Sequence, residues 1–301
     1  MRDLTELLND VAAVTVTPFD AGGAVDLDAN AKLVRRLIDA GVRVITPNGN
    51  TGEFYALTPD ERRQVLESTV SAAGDDAAVL AGVGLDAFSA AESARQARDL
   101  GARMVMVHQP VHPYIAAEGW VDYHRQIAEA VPDLGVVPYL RSPRITGEEV
   151  ARLGEACPNV VGVKYAVPDP VRFASVARDA GLERFAWLCG LAEPYTPAYW
   201  AVGARGFTSG LVTAAPGLTL RMRDALRAGD QAGAMRVWEL IRRFEELRGA
   251  DSSADNVAVV KEALAQLGLC RRDVRPPSRA LPAAVREEVA AILATWQEEA
   301  K

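Results

Sequence analysis

Eight short apolar runs lie between residues 11 and 210, and most are followed by a stretch of helical period. This repeated β-then-α order predicts an α/β fold with parallel strands and right-handed crossovers. Eight such units suit a closed (β/α)8 TIM barrel, and no glycine fingerprint of a doubly wound open sheet follows the first run. Residues 216–301 read as helix, with VWELIRRFEEL and AAVREEVAAILATW as amphipathic stretches. A C-terminal helical extension is therefore expected to pack on the barrel. Residues 1–215 would carry the eight strands and first seven helices, and residues 216–301 the eighth helix and the extension, as one structural unit.

Taken in order, VAAVTVTPF (11–19) predicts a strand stopped by Pro18, and residues 27–40 a helix with Leu33, Leu37 and Ile38 on one face. RVITPNGNTGE (43–53) is a strand entering a polar, glycine-containing loop. Thr58, Pro59 and Glu61 then give the cap, first-turn proline and capping-box acid of a helix start. AAVLAGVG (77–84) and RMVMVH (103–108) predict strands, with helices over 89–100 and 118–130. GVVPYL (135–140) predicts a fifth strand in spite of Pro138, which removes a ladder donor and usually belongs at an edge or a bulge. A helix over 147–156, the strand within NVVGVKYA (159–166) and a helix over 170–180 follow. FAWLCG (185–190), a shorter helix over 194–202 and RGFTSG (205–210) complete the alternation. RRDVRPPSR (271–279) is expected to be a solvated basic connector.

The 301 residues carry a net charge of −7, with 49% hydrophobic and 24% charged residues, which is ordinary for a globular protein with a large core. No Lys/Arg-dominated face is apparent, so neither nucleic acid nor a membrane surface is expected as a partner. Cys157, Cys189 and Cys270 are scattered and odd in number, which fits a reducing cytoplasm better than a disulfide framework or a zinc cluster. The N-terminal MRDLTELLND lacks the apolar core of a signal peptide, and no apolar run approaches membrane-spanning length.

Chemistry gathers at the carboxyl ends of the strands, where a barrel of this type keeps its active site. Lys164 ends an apolar, β-favouring run. Burial disfavours its charged form and would leave a nucleophilic amine near neutral pH; a lysine snorkelling to solvent is the competing reading. As a nucleophile it would attack the ketone of a 2-oxo acid. Thr51 and the amides of the turn Gly49, Asn50, Thr51 and Gly52 could hold a carboxylate, since successive amides form an anion-binding concavity, or could be a turn only. Tyr139 could move protons or be a core phenol. Arg141 or Arg144 could grip a distal carboxylate or simply face solvent. The segment around Ser209 lies at the same mouth. His108 and His112 have helical metal-pair spacing, but Pro110 and Pro113 oppose a helix, so no metal site is expected.

VTVTPF, NGNTGEFYALTPDER, Tyr139 at the fifth strand and Lys164 in VGVK, in this order, resemble the family containing 4-hydroxy-tetrahydrodipicolinate synthase and N-acetylneuraminate lyase. The resemblance runs from about residue 11 to the C-terminal helices. It implies a lyase in which Lys164 forms a Schiff base with pyruvate or another 2-oxo acid, assembled as homodimers or homotetramers. No metal or organic cofactor is implied.

Departures from the pattern bear on the substrate. Asn50 stands where the family has Thr or Ser, and an amide cannot relay a proton as a hydroxyl does. His112 falls where the synthase has a tyrosine, with Tyr114 two residues later. Leu140 follows Tyr139 where Asn is frequent. Arg144 matches the synthase's carboxylate-binding arginine, whereas Arg141 matches the Tyr-x-Arg pattern of the family's sugar-acid dehydratases. The alternatives to the synthase reaction are therefore a 2-oxo-3-deoxy sugar-acid dehydratase or aldolase, such as a 5-dehydro-4-deoxyglucarate dehydratase, and a non-catalytic barrel that binds a 2-oxo acid.

Overall fold

A computed structural model describes residues 1–299. Eight parallel strands close into a barrel in the order β1 to β8. They are β1 (Val11–Val14), β2 (Val44–Thr46), β3 (Ala78–Val83), β4 (Met104–Val107), β5 (Gly135–Leu140), β6 (Gly162–Tyr165), β7 (Ala186–Cys189) and β8 (Gly206–Ser209). The strands are buried at every position, as a parallel sheet covered on both faces requires. An N-terminal helix, α1 (Arg2–Leu8), precedes them. Between the strands lie α2 (Leu27–Asp39), α3 (Pro59–Ala73), α4 (Ala87–Leu100), α5 (Ala117–Ala130), α6 (Gly147–Ala156), α7 (Pro170–Ala180) and α8 (Thr196–Ala201). After β8 come α9 (Pro216–Arg227), α10 (Gln231–Ser253), α11 (Asn256–Gln266) and α12 (Ala283–Glu299). The last turn of α10 is broken, because Asp251 and Ser252 take left-handed backbone angles. No described helix is long and apolar enough to cross a membrane.

Two compact units emerge, one of Met1–Ala12, Arg43–Thr46 and Ala73–Thr208, the other of Ala13–Val42, Pro47–Ala72 and Ser209–Lys301. In the first, Leu4, Leu8, Ala12, Val44, Met104, Val137, Val161 and Leu188 belong to one buried cluster. Helix α1, which the apolar pattern alone left undeclared, supplies two of its members. Gly206 makes room for it, since a Cβ there would lie 2.1 Å from the Leu8 carbonyl. Residues 147–156 and 170–180 form helices as expected. Thr146 and Glu149 make a reciprocal capping box, and Asp169 caps the N-terminus of α7 ahead of Pro170. In the second unit, Phe19, Leu57 and Val65 form a smaller cluster with Val25 against it.

The strand at Pro138 is real, and its register explains the proline. Val136 bridges Val160, yet Tyr139 pairs with Lys164, so two residues of β5 oppose three of the neighbouring chain. This is a one-residue bulge. The ladder donor that proline lacks falls where the ladder is already interrupted, and the bulge sits immediately before Lys164.

Leu8→Ala should lower stability by about 2–5 kcal/mol, because Leu8 is fully buried and its loss leaves a cavity. Urea denaturation would measure this, and an unchanged midpoint would mean that α1 contributes nothing to the core.

Candidate active site

In the first unit, Lys164 lies on β6 in register with Tyr139 of β5 and Leu188 of β7. It is only 4% exposed. Its Nζ stands 4.1 Å from the centroid of the Tyr139 ring, the nearest aromatic face in contact with it. Gly190 leaves space for the chain of methylenes: a Cβ at that position would come within 2.9 Å of Lys164 Cγ. No carboxylate pairs with this lysine among the described residues. Burial, joined by the positive charge of Arg141, therefore lowers its pKa to about 7. Cys189 is itself buried, which pushes its thiol up to about 12 and keeps it protonated. The result is an amine of which a large fraction is neutral at neutral pH, lying on a phenol.

The neighbours of Tyr139 divide by exposure. His108 is fully buried with its ring 6.3 Å from that of Tyr139. Arg141 is exposed, and its guanidinium carbon lies 5.8 Å from the same ring. Arg144 is also exposed, on a loop held by the Arg172 guanidinium, which donates to the carbonyls of Pro143 and Ile145. His112 and Tyr114 stay on an exposed loop, where the Tyr114 N–H donates to His112 Nδ1 at 3.2 Å. Tyr114 is 85% exposed. Among the described residues no cluster of His, Cys, Asp and Glu is arranged to hold a metal ion.

In the second unit, the turn Gly49, Asn50, Thr51 and Gly52 is bracketed by Asn48 and Glu53, both left-handed at φ 59°. Gly52 N–H donates to Gly49 O at 3.0 Å and Glu53 N–H to Asn50 O at 3.1 Å. Thr17 Oγ1 donates to Gly52 O at 2.7 Å, and a Cβ on Gly52 would approach the Thr15 carbonyl to 3.0 Å. The turn is thus packed tightly from one side by backbone, which favours glycine at residue 52. Thr51 is buried, and the Asn50 Oδ1 is buried without a hydrogen-bond partner. Ser209 Oγ accepts the Val212 N–H at 2.8 Å, shaping the chain after β8. Gly210 admits both Thr51 and Arg248: a Cβ there would lie 3.1 Å from Thr51 Oγ1 and 2.6 Å from Arg248 Nη2.

Charged residues that the sequence reading passed over also sit in this unit. Glu53 pairs with Lys261 at 2.5 Å, and Arg248 with Glu245 at 2.5 Å, all four side chains being buried. The signal was available for Lys261, a lysine within the apolar helical run VAVVKEAL. The connector 271–279 departs from its expected role as a solvated linker. Arg275 within it forms a two-pronged ion pair with Glu61, which holds that carboxyl down at about 2 chiefly through the hydrogen bond.

The family model described as "Dihydrodipicolinate synthetase family" matches residues 7–296. The chain belongs to that family. Its members are class I lyases and dehydratases that act through a Schiff base, and this dihydrodipicolinate synthetase homologue is a lyase of that kind. It is 35% identical over 291 residues to a 4-hydroxy-tetrahydrodipicolinate synthase of Phenylobacterium zucineum, covering 95% of this chain and 97% of that one. It is 28% identical over 298 residues to a probable 5-dehydro-4-deoxyglucarate dehydratase of Acinetobacter baumannii, covering 97% of both. A crystal structure of dihydrodipicolinate synthase from Bacillus clausii superposes with a TM-score of 0.94 at 38% identity, covering 98% of this chain and 99% of that one.

The buried lysine has consequences for pH. Its labelling by an amine-directed reagent should rise with a midpoint near pH 7, and Arg141→Met should move that midpoint upward by removing a neighbouring positive charge. A native midpoint at the ordinary lysine value of 10.5 would contradict the burial argument. Between these two pH values the unfolded chain binds the lysine proton and the folded chain does not. This residue alone therefore makes stability rise with pH across that window, and Lys164→Met should remove that part of the slope in denaturant titrations.

Proposed function

We propose that this lyase acts on pyruvate or another 2-oxo acid, with Lys164 as the residue that forms the Schiff base. The observation that carries the proposal is the buried, carboxylate-free Lys164 amine at 4.1 Å from the Tyr139 ring, with its pKa lowered to about 7. The neutral amine attacks the substrate ketone, and loss of water from the carbinolamine gives an iminium. Its positive nitrogen draws electrons from the adjacent carbon, so that a proton or a carbon–carbon bond at that carbon can be released or formed. Tyr139 moves the protons of imine formation, and its ring position beside Nζ supports that role. The amides of the turn at 49–52, with Thr51 and Gly52, bind the substrate carboxylate. Asn50 contributes there through its side-chain amide N–H, a donor to the carboxylate.

The reaction nearest to the comparisons is condensation of pyruvate with an aldehyde, as in the synthases. A sugar-acid dehydration is the second reading, and one observation favours it: Arg141, not a hydrophobic residue, stands over the Tyr139 ring and can grip a distal carboxylate. Arg144 would do so in the synthase reading, and His112 would complete the proton path. Assembly as a homodimer or homotetramer and work in the cytoplasm belong to the same proposal, with no organic cofactor involved.

Borohydride reduction in the presence of pyruvate should fix an adduct on Lys164, located by mass spectrometry. If folded protein gives no adduct with any of several 2-oxo acids, the Schiff-base assignment fails. Tyr139→Phe should slow trapping by roughly 10²- to 10⁴-fold with little change in the half-saturating pyruvate concentration; an equal rate would remove Tyr139 from the proton path. Turnover with pyruvate plus aspartate semialdehyde against 5-dehydro-4-deoxyglucarate separates the two substrate readings, since activity on the second alone rejects the synthase reaction.

A further inference from the structure

Glu53 closes the turn at 49–52, and its surroundings have no part in the chemistry described above. Its backbone is left-handed, a conformation that a residue with a side chain holds only when its neighbours enforce it. Both carboxylate oxygens are engaged. Lys261 Nζ donates to Oε1 at 2.5 Å, and the backbone N–H of Arg275 donates to Oε2 at 2.8 Å. Lys261 Nζ also donates to the Asp273 carbonyl at 2.7 Å, so one ammonium ties the turn to the connector at 271–279. Arg275 is fixed in its own right. Its guanidinium holds both oxygens of Glu61 at 2.8 and 2.6 Å, the Ala56 carbonyl at 3.2 Å and the Gly23 carbonyl at 2.8 Å. Phe19 is faced by both cations, with Lys261 Nζ at 4.0 Å and the Arg275 guanidinium carbon at 4.4 Å from its centroid.

Every one of these groups belongs to the same compact unit as the turn. The charges balance pair by pair, the buried Lys261 with Glu53 and the partly buried Arg275 with Glu61, so the two pairs leave no net charge. A surface linker would need none of this. We propose that Lys261 and Arg275 are positioning residues, which with Glu53 form a clamp locking the turn at 49–52 in the conformation that receives the substrate carboxylate. The proposal rests on the assignment of that turn to carboxylate binding. The clamp acts through the Glu53 N–H bond to Asn50 O, the bond that closes the turn. Neither cation touches the substrate.

The test measures borohydride trapping of Lys164 as a function of pyruvate concentration in the full chain, alongside hydrogen exchange at residues 49–53. Arg275→Met and Glu53→Gln should raise the half-saturating pyruvate concentration about tenfold while the trapping rate at saturation stays within about twofold. Exchange at residues 49–53 should speed up in both, with the barrel strands unchanged. Arg275→Lys, which keeps the charge but loses the fork onto Glu61, should fall between. Lys261→Met is the stronger variant and carries the same expectation where it folds. A purely structural cluster would instead lower the melting temperature and the trappable fraction with an unaltered half-saturation, and that result overturns the clamp. If wild-type protein is not trapped at all, the functional reading fails, and hydrogen exchange decides the clamp alone: unaltered exchange at 49–53 in Arg275→Met rejects it.

Discussion

The structure turns on the burial of one unpaired amine. Lys164 is buried in a parallel strand, in register with Tyr139 and Leu188, and the charged form of an ammonium is disfavoured there. No carboxylate among the described residues pairs with it. The protein offers it the face of Tyr139, space beside Gly190, and the distant charge of Arg141, which pushes in the same direction as burial. Such a site costs folding free energy at neutral pH and leaves a large fraction of the amine neutral, as the proposed Schiff-base role requires.

A second buried lysine shows the opposite solution. Lys261 is fully buried and also has its pKa lowered by desolvation, but Glu53 opposes that shift through charge and hydrogen bond. Breaking such a pair leaves an uncompensated charge and costs about 3–5 kcal/mol. The same side chain is thus an amine without a carboxylate partner in one unit and a tie in the other, among the described residues. The difference lies in the partner. Glu53 supplies that partner because it ends a glycine turn in a left-handed conformation that the connector at 271–279 holds from the far side.

Most of the barrel was legible along the chain. Strands buried on both faces read as short apolar runs, and helices with one apolar face read by their period, so residues 135–140, 147–156 and 170–180 are elements with the expected limits. Helix α1 was not legible, because seven residues with two buried leucines give too short a period to stand out. Pro138 was legible only as a conflict. Its resolution, a register slip of one residue against the neighbouring strand, depends on a pairing between segments about 25 residues apart in sequence. The ion pair of Glu53 with Lys261 spans 208 positions, and the engagement of Arg275 with Glu61 spans 214. No local pattern announces either, so the connector read as solvated from its composition.

By itself the sequence determined the alternation of strand and helix, the apolar run around Lys164, and the glycine-containing turn at residues 49–52, because each follows from residue type and short-range period. It also carried the family. The tertiary structure alone decided that Lys164 lies beside Tyr139, that no carboxylate among the described residues pairs with it, and that Lys261 and the Arg275 backbone both bind Glu53. The physical reason is that a side chain's pKa and its partners are properties of what the fold brings near. A buried lysine with a carboxylate keeps its charge as a tie, and a buried lysine without one has that charge disfavoured.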